Sequence, residues 1–172
     1  MTGKWRTLSV AVAMLVLAGT VADAKTYSSK RGYTIAVAAG WNVDSSGMMG
    51  TDLIMMAKPH KGFSANLNVV VAPAPTGQTL AQGRAYINQA YPGMFNNYKK
   101  LAQGNTSLGG VPAITITATH AMGTPPRTLR MHQAIALKNG TVYTFTCTAA
   151  NADYAKFDAA FKAALKSVKW KK

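Results

Sequence analysis

The sequence predicts an α+β domain, a mostly antiparallel sheet with helices on its faces, in the element order β-β-β-α-β-β-β-β-α. Three observations predict it. Short segments with apolar residues at every second position recur along the chain, two stretches switch to helical spacing, and short glycine-containing turns join the later strands.

Tyr33, Ile35 and Val37 alternate with Thr34 and Ala36, the period of a half-buried strand, and Gly40-Trp41 closes it. Residues 53–57 are apolar at every position, as expected of a strand covered on both faces. Residues 66–72 place Leu67, Val69 and Val71 on one side before Pro73 and Pro75 end the run. Thr79-Leu80-Ala81-Gln82 then has capping-box spacing, with a hydroxyl for the N3 amide and a glutamine that reaches back, so a helix starts there. Ile87, Tyr91, Met94, Phe95 and Tyr98 continue it. Pro92 lies inside that pattern and predicts two short helical pieces with a break near Tyr91.

Residues 100–108 are weakly apolar and read as an edge strand, which Gly109-Gly110-Val111-Pro112 connects to residues 113–121, with Ile114, Ile116 and Ala118 facing inward. Residues 128–137 carry Leu129, Met131, Ile135 and Leu137 in phase, and residues 141–149 carry Tyr143, Phe145 and Cys147. A two-residue Asn139-Gly140 loop between them would pair Leu137 with Val142 and Ile135 with Thr144, mixing apolar and polar faces. A three-residue loop with Gly140 left-handed pairs Leu137 with Thr141, Ile135 with Tyr143 and Met131 with Cys147, and is the one expected. The last helix sets Tyr154, Phe157, Phe161, Ala164, Leu165 and Val168 on one face, with Asn151 or Asp153 as cap.

The chain also carries the marks of export. Lys4 and Arg6 precede an apolar run over residues 8–19 and the small-residue pattern Ala22-Asp23-Ala24, which together predict a cleavable signal peptide over residues 1–24. The apolar run is about a dozen residues against the roughly 20 that a spanning helix needs, and nothing after it is apolar enough to cross a membrane. Processing would leave one domain, residues 25–172, in the periplasm or secreted. Its single cysteine, Cys147, excludes an intrachain disulfide. A bond between chains stays open, but alternation with Tyr143 and Phe145 points to a buried, inert thiol.

Charge is the strongest compositional signal: 19 lysines and arginines face five aspartates and no glutamate, for a net charge of +14. Removing Lys4, Arg6 and Asp23 takes off a net +1 and leaves +13 on the processed domain. Such a surface attracts polyanions, which for an exported protein are anionic lipid, envelope polymer or acidic envelope proteins, although solubility alone is an alternative. Lys162, Lys166 and Lys169 on another face of the last helix, with Lys171 and Lys172, form the candidate anion- or partner-facing surface. Asp158 and Lys162 make an i,i+4 pair of about 0.3 kcal/mol, which leaves most of that stripe free.

No catalytic residue is assigned. The processed domain offers only Asp44, Asp52, Asp153 and Asp158 as acids, and Ser45, Ser46 and Ser64 stand in no nucleophile-elbow pattern. Nor does any motif call for a cofactor. The first alternative is a periplasmic copper- or metal-binding protein, since Met48, Met49, Met55, Met56, Met122, Met131, His60, His120 and His132 are soft donors. The best of these are His120, His132, Met122 and Met131. Strand parity nevertheless aims His120 with Ile114, Ile116 and Ala118, and turns His132 away from Met131 and Ile135, so the two histidines should face oppositely. A small enzyme of unknown chemistry is the second alternative. Tyr98, Lys99 and Lys100 alone make no nucleic-acid-binding module. The loops over residues 41–51 and 121–127 are long enough to carry a site.

Several landmarks in this order resemble the PsbP-like fold family, the photosystem II extrinsic proteins and their bacterial relatives, including DcrB-like periplasmic proteins. They are Gly32-Tyr33-Thr34-Ile35 with Gly40-Trp41, Asn66-Leu67-Asn68-Val69-Val70-Val71, Leu108-Gly109-Gly110-Val111-Pro112-Ala113, the strand around Gln133, Val142-Tyr143-Thr144-Phe145-Thr146, and the closing Leu165-Lys166-Ser167-Val168. Ala38 and Ala39 stand where many relatives have a proline before the Gly-Trp pair. The resemblance implies a non-catalytic accessory protein that docks on or stabilises a larger envelope or membrane assembly, and it implies no substrate or cofactor.

Overall fold

The computed structural model describes residues 25–172. The expected signal peptide lies outside the described residues. The chain forms strands β1 (Thr26–Ser28), β2 (Tyr33–Ala36), β3 (Asn42–Asp44), β4 (Leu53–Met56) and β5 (Asn66–Pro73), and then helix α1 (Leu80–Met94). Strands β6 (Lys99–Leu108), β7 (Val111–Met122), β8 (Arg127–Lys138) and β9 (Thr141–Ala150) follow, then helix α2 (Tyr154–Lys166) and strand β10 (Lys169–Trp170). Seven strands make one antiparallel sheet in the order β3-β4-β5-β9-β8-β7-β6, and β1-β2-β10 make a small second sheet, also antiparallel. The α+β class is as expected. The three additional strands, β1, β3 and β10, are two or three residues long and carry no periodic pattern that would announce them.

The large sheet is covered on both faces, and alternation along each strand decides what goes where. Under α2 and the small sheet lies the main core, in which Tyr33, Ile35, Leu67, Val69, Phe145, Cys147 and Phe161 are buried. Trp41 stacks edge-on against Phe161 at 5.7 Å between ring centroids, which ties the Gly40-Trp41 landmark to α2. The opposite face holds a smaller core of Ile87, Ile114, Ile116 and Ile135 under α1. Strand β4 buries Leu53 and Met55 but only half-buries Ile54 and Met56, so its all-apolar sequence is dry on one face rather than two.

Two further expectations are corrected. The β8–β9 turn has two residues, with Asn139 and Gly140 both at positive φ (49° and 69°), and it pairs Leu137 with Val142 and Ile135 with Thr144. The register argument for three residues assumed one wet face. Here both faces are covered, so Ala134 and Ala136 pair with Phe145 and Tyr143 under α2 while Ile135 and Leu137 serve the α1 side. Helix α1 is likewise one piece, not two. Pro92 sits in its last turn, so the amide it lacks costs one bond, to the Asn88 carbonyl, near the end of the helix at Met94, and the Phe95 N–H still bonds back to the Tyr91 carbonyl at 3.1 Å. The expected capping box is present in full: Gln82 N–H donates to Thr79 Oγ1 and Thr79 N–H to Gln82 Oε1. Asp153 holds the N-cap position of α2 but makes no side-chain cap bond, because Lys156 Nζ donates to its carboxylate at 2.7 Å.

Candidate functional site

The five candidate lysines do not lie on one helix face. Helix α2 ends at Lys166, so only Lys162 and Lys166 belong to it, and both line a small cleft of about 270 Å³ with His132, Thr106, Ser107 and Thr115. Lys169 is exposed on β10, where it pairs with Thr34 of β2. Lys171 is tied to the small sheet, its Nζ donating to the Ser29 carbonyl at 2.6 Å and its N–H to the Gly32 carbonyl at 2.9 Å. Lys172 is exposed at the end of the chain.

All four described acids are engaged within the domain. Asp158 pairs with Lys162 at 2.6 Å, and Asp153 with Lys156 at 2.7 Å and with His60 at 3.5 Å. Asp44 accepts from the Ser46 N–H. Asp52 accepts from the Ser29 and Tyr33 hydroxyls at 2.6 and 2.7 Å, a knot that joins β2 to the start of β4. Burial, with the bond to Asp52 adding to it, pushes the Tyr33 phenol well above its ordinary range. The Lys156 hydrogen bond holds Asp153 below the usual carboxylate range, and the Ser46 N–H does the same for Asp44.

The candidate metal donors fall on two sides of the sheet. His120 pairs with Leu129 and shares the α1 face with Met122 and Met131, whereas His132 pairs with Thr117 and faces α2. His120 is nearly buried against the Phe95 ring, 4.9 Å between centroids, Met131 is buried, and Met122 is exposed. His132 Nδ1 lies 2.9 Å from Thr117 Oγ1, and burial, with Arg130 and Lys162 nearby, holds its pKa below the ordinary value despite the opposing charge of Asp158. Among the described residues, no three His, Cys, Asp or Glu side chains are grouped to hold a metal ion. Cys147 is fully buried beside Phe145, and burial pushes its thiol up. The loop over 121–127 forms a hairpin turn whose Arg127 donates to the Lys61 carbonyl at 2.7 Å and lies over the Phe63 ring.

Sequence reasoning missed one cavity. It is a cleft of about 510 Å³ between α1 and the sheet, walled by residues of β5, β7, β8 and β9 and bordered by the exposed Tyr86. Its only sequence signal is Gly83, a glycine inside a helical pattern.

The fold matches solved structures at low sequence identity. Cyanobacterial PsbP from Synechocystis sp. PCC 6803 is 18% identical, with a TM-score of 0.61 over 91% of this chain and 98% of that one. The fold is PsbP-like. LpqN of Mycobacterium tuberculosis, described as involved in cell envelope biogenesis, matches this PsbP-like domain with a TM-score of 0.62 at 10% identity, over 89% of this chain and 88% of that one. The protein PA94 of Pseudomonas aeruginosa, described as a putative regulator of unknown function, gives a TM-score of 0.61 at 14% identity, over 84% and 94% of the two chains. No family model and no curated protein matches the chain. Within this fold Gly40-Trp41 abuts α2, and Leu108-Gly109-Gly110 turns between β6 and β7 under β10. No helix of the described residues is long and apolar enough to cross a membrane.

Proposed function

We propose that this protein is an exported, non-catalytic accessory protein of the cell envelope that docks through its basic surface on an anionic envelope surface. The observation that carries the reading is the state of the acids. Asp44, Asp52, Asp153 and Asp158 are all engaged inside the domain, and among the described residues their only cationic partners are Lys156, Lys162 and His60. The other lysines and arginines among the described residues have no acidic partner and meet solvent, backbone carbonyls, side-chain amides or aromatic rings, so their charge is not neutralised within the domain.

Two further points support it. The leader pattern over residues 1–24 directs the chain out of the cytoplasm, into the periplasm or beyond. LpqN, a protein of the same fold, is described as serving cell envelope biogenesis, which is support by fold analogy.

The test is sedimentation of the purified protein with phospholipid vesicles, anionic or zwitterionic, at about 50 mM and about 200 mM salt, a range over which screening shortens from more than 10 Å to less than 8 Å. Binding to anionic vesicles alone, weakened by salt and by the double substitution Lys166→Glu, Lys169→Glu, is the expected result. Absence of binding to anionic vesicles at low salt would overturn the reading and turn the search to an acidic protein partner. N-terminal sequencing of the protein from the extracytoplasmic fraction should begin at Lys25.

A further inference from the structure

Helix α1 is tied to β6 along one edge, and at its C-terminal end the Tyr91 hydroxyl donates to Gln133 Oε1 of β8 at 2.7 Å. Arg84 donates to the Gly104 carbonyl at 3.1 Å and to the Asn105 side chain, Asn88 donates to Gln103, and Lys100 donates to Asn88. These bonds pin the helix over β6. Its other edge overhangs the 510 Å³ cleft, and of its fifteen residues only Ile87 is buried. The walls are largely apolar, among them Pro73, Leu80, Ile87, Ile114, Ile135 and Val142, with Gln78, Thr79 and Thr144 adding polar groups, and no charged side chain lines them in a chain with 19 lysines and arginines. Volume and lining both fall within the range of small-ligand sites, roughly 300–1,000 Å³ and largely apolar.

The shape narrows the ligand. From Leu80 to Tyr91, both of which line the cleft, α1 rises about 16 Å at 1.5 Å per residue. A volume of 510 Å³ spread over that length is a narrow slot. Gly83 is the second indication. It lies on the sheet-facing stripe with Leu80, Ile87 and Tyr91 and lines the cleft, yet its backbone does not require glycine, and an added Cβ would meet only Gln78 Nε2, at an ordinary 3.7 Å. Glycine is among the poorest helix formers. The helix forgoes stability at the one stripe position where a side chain would fill the slot.

We propose that this cleft binds a single hydrocarbon chain, the acyl tail of an amphiphile, laid along α1 with its polar head at the mouth beside the exposed Tyr86. The absence of charge in the walls suits the tail, and the cationic surface outside tolerates a neutral or anionic head.

The test titrates the purified protein with N-phenyl-1-naphthylamine, an uncharged apolar dye, and displaces the dye with glycerol monolaurate, also uncharged. Saturable binding displaced by the monoglyceride is expected. Gly83→Leu, which fills the slot from the helix, should weaken dye binding at least about tenfold, and Ala72→Phe, from an exposed position on the β5 wall, should do the same. Gly93→Leu adds the same side chain to the same helix where a Cβ meets nothing within 4 Å, and should leave binding unchanged. Thermal unfolding confirms that each variant is folded. Non-saturable binding, full binding by a folded Gly83→Leu or Ala72→Phe protein, or equal loss in Gly93→Leu would overturn the proposal. Neither dye nor competitor carries charge, so the outcome is independent of vesicle docking.

Discussion

Trp170 donates its indole N–H to the Leu108 carbonyl at 2.6 Å, which fastens the C-terminal strand β10 across the turn between β6 and β7. The turn residue beneath it is Gly109, at φ +53°, where an added Cβ would stand 2.6 Å from the Val168 carbonyl oxygen and 3.1 Å from Trp170 Cδ1. The Gly109-Gly110 landmark therefore reports a close approach as well as a turn. Gly109→Ala combines left-handed strain of roughly 1–2 kcal/mol with a clash against backbone, and should destabilise by more than about 2 kcal/mol. Gly110→Ala, at φ +85° with nothing within 4 Å of the added carbon, should cost only the strain. Urea unfolding of the two variants measures the difference; equal losses would remove the role given to β10.

His132 should make stability depend on pH below neutrality. Its folded pKa is depressed by burial, while the unfolded chain titrates near about 6.5. As pH falls through that value the unfolded state takes up the proton first, so stability declines with falling pH and levels off below the folded pKa. Asp153 is also depressed, but its contribution is lost only below about pH 4, where the unfolded carboxylate titrates, so the windows are separate. Urea midpoints at pH 5 and pH 8 should differ in the wild type, and the part of the difference between about pH 5 and 7 should shrink in His132→Gln, which keeps an acceptor for the Thr117 hydroxyl.

Cys147 should be chemically silent in the native state. It is fully buried and its thiol is held protonated by burial, so a disulfide-exchange reagent should label it only at the rate of unfolding. Rapid native labelling would place it at the surface. Cys147→Ser puts a hydroxyl among apolar neighbours and should cost about 1–3 kcal/mol.

The capping box should be felt locally. Thr79→Ala removes the acceptor for the Gln82 amide and should cost about 1 kcal/mol. Because α1 buries so little against the sheet, its amides should also exchange faster than those of β8 and β9, which hydrogen–deuterium exchange would read directly. Equal protection would show that α1 is packed as tightly as the core.

Much of this was legible residue by residue. Tyr33, Ile35 and Val37, Leu67 and Val69, and Phe145 and Cys147 point where their alternation says they should, because a strand leaves a side chain no third direction. The β8–β9 register was not legible, since the pattern that separates an apolar face from a polar one fails when both faces are dry. The lysine stripe read as one surface only while α2 was allowed to run on to Lys169; the strand pairing of Lys169 and Trp170 with Thr34 and Tyr33 ends it at Lys166.

The sequence by itself determined the faces of the long strands, the start of α1 at Thr79, the excess of positive charge and the burial of Cys147. These follow from local sterics, short-range hydrogen bonds and composition, which need no knowledge of distant neighbours. Only the tertiary structure decided that both faces of the sheet are covered, that the Asn139-Gly140 turn is tight, that β10 closes over Gly109, and that a cleft opens between α1 and the sheet at Gly83. Each of those depends on segments far apart in the chain meeting, and the free energy of that meeting is written in no single stretch of residues.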